Sequence, residues 1–77
     1  MSITAYIFMD CSVDPADVVK KVREIKGVKS AHALYGDIEA VAYVEVADLK
    51  ELDDVLLKFY EIPGLESTDT RIARDIE

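Results

Sequence analysis

Cysteine occurs once in the 77 residues, at Cys11, so no disulfide can form within the chain. A lone thiol suits a reducing, cytoplasmic setting better than an extracellular one. No N-terminal stretch has the basic start and apolar run of a signal peptide, and no apolar stretch is long enough to span a membrane. Histidine also occurs once, at His32, and neither it nor Cys11 stands at a spacing that makes a zinc motif. The acidic pair Asp53-Asp54 lacks the glycine-bearing, oxygen-rich loop that holds calcium, and reads as a solvated helix face. Phosphate-cradling glycine loops and the Gly-x-Ser-x-Gly elbow are missing as well. The three glycines, Gly27, Gly36 and Gly64, each fall at an expected helix end or turn. Positive charge is scarce: the net charge is −7, which repels phosphate backbones and argues against direct nucleic-acid binding. The basic residues Lys20, Lys21, Arg23, Lys26 and Lys29 gather at helical spacing and read as a solvated outer face.

What the chain does have is a repeat. Thr4-Ala5-Tyr6-Ile7-Phe8-Met9 matches Val41-Ala42-Tyr43-Val44-Glu45-Val46, and Glu24-Ile25-Lys26-Gly27-Val28-Lys29-Ser30 matches Glu61-Ile62-Pro63-Gly64-Leu65-Glu66-Ser67. Both pairs share one offset, since 41 − 4 and 61 − 24 both equal 37. Each half therefore reads as one β-α-β unit, and residues 1–77 as a single β-α-β-β-α-β domain with pseudo-two-fold symmetry.

The local pattern fills in that outline. Ile3 to Met9 alternate as a strand, with Ile3, Ala5, Ile7 and Met9 on one face and Thr4, Tyr6 and Phe8 on the other. Asp14 caps a first helix, Pro15 occupies its first position, and Val18, Val22 and Ile25 turn toward the sheet before Gly27 ends it. Val28 to Tyr35 and Ile38 to Val46 form an antiparallel hairpin around Gly36-Asp37. Asp48 and Glu51 open a second helix as a capping box. Leu49, Leu52, Val55, Leu56 and Phe59 make its apolar stripe, and Pro63-Gly64 stops it. Leu65 to Ala73 is a polar last strand, and Arg74 to Glu77 read as frayed or interfacial.

Right-handed crossovers then give an α+β, ferredoxin-like sandwich, an antiparallel sheet with both helices on one face. The other face carries Thr4, Tyr6, Phe8, Val41 and Tyr43. A 51% hydrophobic chain of this size needs more burial than one copy provides. The expectation is a homo-oligomer built on a dimer packed through its sheets, of the dimeric α+β barrel type.

Chemistry is thinly signalled. His32 has no sequence-local acid–base partner, and Asp10 and Asp14 make the field around Cys11 negative, which disfavours a reactive thiolate. No catalytic residue, cofactor or metal site is expected. The polar groups that remain are the hairpin Tyr35-Gly36-Asp37-Ile38-Glu39 and the strand Ser67-Thr68-Asp69-Thr70. Gly36 lets another chain or a ligand come close, Asp37 and Glu39 offer carboxylates to an ammonium, and Thr68 and Thr70 share a strand face. That set suits a small zwitterion, but from composition alone a plain turn beside a solvated edge strand is the better reading.

The run Tyr35-Gly36-Asp37-Ile38-Glu39-Ala40-Val41-Ala42, followed by Val44-Glu45-Val46, Asp48-Leu49-Lys50-Glu51-Leu52, Ile62-Pro63-Gly64-Leu65 and Thr68-Asp69-Thr70, resembles the effector-binding (RAM) domain of Lrp/AsnC regulators. The resemblance covers nearly the whole chain. It implies dimers joined through their sheets, closure of four dimers into an octamer, and an amino-acid effector where dimers meet. Carried over by position, it implies a ligand site at Gly36, Asp37 and Glu39, with Thr68 and Thr70 following and Tyr35 and Ile38 as walls. Family members carry an N-terminal helix-turn-helix domain, whereas this chain begins at its first strand. The resemblance is thus to the stand-alone type, which modulates transcription through ligand-linked assembly, alone or with a full-length Lrp/AsnC regulator. The family's hairpin Asp is Glu39 here, one methylene longer. Two other readings stay open. A dimeric α+β barrel enzyme needs His32, Tyr6, Tyr43 or a carboxylate converging between the sheets. An ACT-like domain keeps its ligand beside a glycine after the first strand, a place held here by Asp10-Cys11-Ser12-Val13-Asp14.

Overall fold

A computed structural model describes residues 2–74 and 76. Six elements follow in the order expected from the repeat: β1 (Ile3–Cys11), α1 (Pro15–Val22), β2 (Val28–Ala33), β3 (Ala40–Val46), α2 (Leu49–Tyr60) and β4 (Leu65–Ile72). The strands form one antiparallel sheet in the order β2-β3-β1-β4. This is the ferredoxin-like sandwich, with β1 and β3 at its centre.

Alternation sorts the side chains as expected. Ala5, Ile7, Met9, Ala40, Ala42, Val44 and Val46 are buried beneath the helices. They meet Val18, Val19 and Val22 from α1 and Leu52, Val55 and Phe59 from α2. Both helix starts use the expected aspartates. The Asp14 carboxylate accepts the Ala16 N–H at 3.0 Å and the Asp48 carboxylate the Glu51 N–H at 2.8 Å. Leu49 departs from expectation, standing exposed rather than in the core stripe. At 100° per residue it lies about 90° off the Leu52–Val55–Phe59 line, on the helix flank.

The 37-residue offset is also a geometric repeat. Three backbone bonds close the exit from α1: Glu24 N–H to Lys21 C=O, Ile25 to Val22, and Val28 to Ile25. The same three recur after α2: Glu61 to Lys58, Ile62 to Phe59, and Leu65 to Ile62. Gly27 and Gly64 then take matching left-handed backbones, with φ of 101° and 91°. Each exit also sends a side chain to the following strand, eight residues on. Arg23 donates twice to the Ala31 carbonyl, at 3.0 and 2.7 Å, and the Tyr60 and Thr68 hydroxyls meet at 3.2 Å.

Several boundaries differ from the sequence expectation. β1 continues to Cys11, because it pairs with β4 through a register shift at Asp10/Cys11. α1 ends at Val22, earlier than Gly27, since the exit turns consume the remaining residues. β2 stops at Ala33 and β3 starts only at Ala40, so the hairpin is wider than a tight turn. Arg74 and Ile76 follow β4 outside any element, and Asp75 and Glu77 lie outside the described residues.

Candidate functional site

The uncovered face of the sheet is built from two complete rows. Reading across β2, β3, β1 and β4, one row is Ser30, Tyr43, Tyr6 and Arg71, and the next is His32, Val41, Phe8 and Asp69. The Tyr6 and Tyr43 rings lean together with centroids 5.2 Å apart at 54°. Phe8, Val41 and Tyr43 are half-buried and Tyr6 keeps 43% of its surface exposed. The centre of this face is therefore apolar and aromatic. Its rim is charged, with Arg71 bonded to Asp69 at 3.0 Å on one edge and Ser2 bonded to Glu45 at 3.1 Å near the end of the central strands.

At the end of the sheet where β1 finishes lies the β2–β3 loop. Ala33 pairs with Ala40, and the Leu34 N–H donates to the Glu39 carbonyl at 2.9 Å. Tyr35, Gly36, Asp37 and Ile38 close the loop, which stays centred on Gly36-Asp37. Tyr35 is fully exposed, and a Cβ built on Gly36 meets nothing within 4 Å. With φ at 116°, Gly36 holds a backbone conformation that other residues rarely adopt. Asp37 and Ile38 are exposed beside it. A shallow groove of about 320 Å³ runs beneath the loop, lined by Asp14, Pro15, Ala33, Leu34 and Tyr35.

Glu39 stands apart from its neighbours. Its carboxylate accepts the Cys11 N–H at 2.7 Å, and its own N–H donates to the Met9 carbonyl at 3.3 Å. The side chain takes the place of the acceptor that β3 would offer had it continued. This negative neighbour, with burial acting first and Asp10 after it, raises the Cys11 thiol pKa above its usual range. The thiol is protonated at neutral pH and a poor nucleophile.

Thr68 and Thr70 pair with Met9 and Ile7 and so point to the helix side of the sheet, both half-buried. They share a face, but β1 lies between them and the β2–β3 loop. One copy therefore presents two separate groups: Tyr35 to Glu39 at the end of the β2–β3 ribbon, and Thr68 with Thr70 on the edge strand. Three contacts had no signal in the sequence: the Glu39 bond to Cys11, the Tyr60 bond to Thr68, and the 3.1 Å bond from Ser67 to Asp10. The first and last join residues 28 and 57 apart, beyond any local pattern. The Tyr60 contact follows from the repeat once its Arg23 counterpart is known. Among the described residues no cluster of three potential metal ligands occurs, and no helix is long and apolar enough to cross a membrane.

Comparison with known proteins agrees with this architecture. Residues 4–75 match the model of the Lrp/AsnC ligand binding domain. The crystal structure of FFRP-DM1 superposes with a TM-score of 0.84 at 31% identity, covering 94% of this chain and 99% of that one. A hypothetical protein, PHS023, from Pyrococcus horikoshii superposes at 0.85 with 30% identity, covering 96% and 92%. A feast or famine regulatory protein from Mycobacterium tuberculosis, complexed with L-methionine, superposes at 0.78 with 22% identity. There the match covers 96% of this chain but 51% of the other. No curated protein sequence matches significantly.

Proposed function

The chain belongs to the Lrp/AsnC ligand-binding domain family, and we propose that it is a non-enzymatic amino-acid-binding and assembly module. Two copies pack through the Tyr6–Tyr43 face, and dimers meet at the β2–β3 loops. A small amino acid binds in that seam and shifts the equilibrium toward the assembled particle, because it binds the assembly and not the separate copies. Closure of four dimers into an octamer, and mixed assembly with a full-length Lrp/AsnC regulator that supplies DNA binding, belong to the same proposal, as the family resemblance implies. The ligand groups are Gly36, Asp37 and Glu39, with Tyr35 and Ile38 as walls and Thr68 and Thr70 brought in from a neighbouring copy.

The uncovered sheet face carries this reading. A contiguous aromatic and aliphatic surface at the centre of a sheet is unusual on a lone small domain and is the normal interior of a two-layer particle. The exposed loop is the second support: Tyr35 and Asp37 are exposed, and a Cβ on Gly36 between them would meet nothing within 4 Å. The methionine complex of the Mycobacterium tuberculosis relative supports an amino acid as the ligand class. Against an enzyme between the sheets stands the separation of its acid–base groups. His32 and Asp69 end one row on opposite edge strands, three strand spacings or roughly 14 Å apart. Tyr6 and Tyr43 fill the middle of the face.

Calorimetry against each of the twenty amino acids, with solution mass measured in parallel, tests the proposal. One or a few amino acids should give heat and move the mass distribution. No heat and an unchanged mass for all twenty would leave a protein that assembles without sensing.

A further inference from the structure

The two acidic side chains of the β2–β3 loop are in opposite situations. Glu39 is tied at three points: its carboxylate to the Cys11 N–H at 2.7 Å, its N–H to the Met9 carbonyl, and its carbonyl to the Leu34 N–H. Two of these anchor the loop to β1 and one to β2. Asp37 sits two residues outward, exposed, beside a glycine with open space around it. A carboxylate already accepting a short main-chain bond from a half-buried strand end is a costly one to withdraw, since the Cys11 N–H would be left without that acceptor. A carboxylate at an exposed tip needs no such exchange before meeting a ligand.

We propose that Glu39 is a positioning residue whose carboxylate clips the β2–β3 loop to the end of β1, and that Asp37 alone supplies the acidic contact to an effector's ammonium group. This rests on the effector-binding reading above and revises the division of labour within it. The clip fixes one end of the Tyr35–Ile38 segment, so that Asp37 and the Gly36 backbone are held ready for a neighbouring dimer. Without it the loop keeps its two main-chain bonds but loses the tie to Cys11, and the added freedom must be given up again on binding. The extra methylene of Glu39 over an aspartate supplies reach from the β3 side to the strand end.

The test compares wild type with Glu39→Gln, Glu39→Ala and Asp37→Asn in two measurements. One is the affinity for L-methionine and, separately, for an equimolar mixture of the twenty amino acids. The other is amide exchange at Cys11 by NMR, which reports the clip whether or not a ligand binds. Glutamine keeps an oxygen acceptor and loses the charge. Glu39→Gln should therefore hold Cys11 protection and affinity within about threefold of wild type, while Glu39→Ala loses at least about tenfold in both. Asp37→Asn should leave Cys11 protection unchanged and weaken binding at least about tenfold, as loss of a charge-assisted contact does. Weakening in Glu39→Gln as deep as in Glu39→Ala, with Cys11 still protected, would overturn the assignment and make Glu39 the ligand contact. Unchanged affinity in Asp37→Asn would remove Asp37 from the site. Equal Cys11 exchange in wild type and Glu39→Ala would dispose of the clip. Should wild type bind neither probe, the effector reading fails and takes the role of Asp37 with it, and Cys11 exchange still decides the clip.

Discussion

Replacing Tyr6 with alanine tests the dimer face at its centre. Tyr6 pairs with Tyr43 across β1 and β3 and keeps 43% of its surface exposed in one copy. For an aromatic residue presenting about 200 Å², that leaves roughly 85 Å² for a partner to cover. At about 25 cal/mol per Å² the burial is worth ~2 kcal/mol per copy. A two-fold interface counts it twice, so the dimer loses about 4 kcal/mol, or roughly a thousandfold in dissociation constant. Within one copy the part of Tyr6 already covered, roughly 115 Å², adds about 3 kcal/mol, and the ring–ring contact about 0.5–1.5 kcal/mol more, so retention of the fold has to be read beside the mass. Sedimentation velocity across a dilution series should show Tyr6→Ala falling apart at concentrations where wild type holds together, with its far-ultraviolet circular dichroism retained. Leu57→Ala is the control: Leu57 is 55% exposed on α2, away from the sheet face, and its loss should leave the mass unchanged. The reasoning is refuted if wild type is a stable single copy at micromolar concentration, or if Tyr6→Ala assembles as tightly as wild type does.

Three further outcomes follow from the same structure. Alanine at the glycines should destabilise in the order Gly64, Gly27, Gly36, read as melting temperatures. The new Cβ overlaps Val13 Cγ2 at Gly64, lies 3.3 Å from Val55 Cγ2 at Gly27, and sits in open space at Gly36. Only the last is limited to the left-handed backbone cost, roughly 1–2 kcal/mol. Arg23→Ala should cost about 1–3 kcal/mol in urea unfolding, because it removes both donors to the Ala31 carbonyl, and Tyr60→Phe, with one exposed hydroxyl pair, about 1 kcal/mol or less. Cys11 should react slowly with iodoacetamide below the usual thiol pKa and speed up only well above it, since burial, Glu39 and Asp10 all raise its pKa. The sign follows from an acid held neutral: its folded form keeps the proton to higher pH than the unfolded chain, and stability declines as pH climbs through that range. Glu39→Gln removes one of the two charges and should bring the onset of reactivity to lower pH.

Much of the architecture was legible because it depends on local rules applied twice. Alternation in Ile3 to Met9 and Ala40 to Val46 set the two faces, Asp14 and Asp48 opened the helices, and Gly27 and Gly64 closed the turns that follow them. The boundaries that moved are those where one strand answers to another. β1 reaches Cys11 because β4 shifts register to follow it, and past Ala33 and Ala40 the Glu39 carboxylate and N–H bond to β1 while its carbonyl takes the Leu34 N–H. Leu49 left the core stripe for a rotational reason that a run of apolar residues does not display. Asp37 and Glu39 read alike in the chain, as acids two apart in a turn. Their different surroundings arise from Cys11, 28 residues before Glu39.

By itself the sequence determined the β-α-β duplication, the helix starts at their capped ends, and the apolar side of the sheet that the helices leave bare. Those follow from periodicity, capping and a 37-residue offset, all of which act between near neighbours. Only the tertiary structure decided that Glu39 is bound to the Cys11 backbone while Asp37 stays exposed, and that Thr68 and Thr70 lie across β1 from the loop. The physical reason is that a hydrogen bond between strand ends depends on register and distance in space, and separation along the chain carries neither.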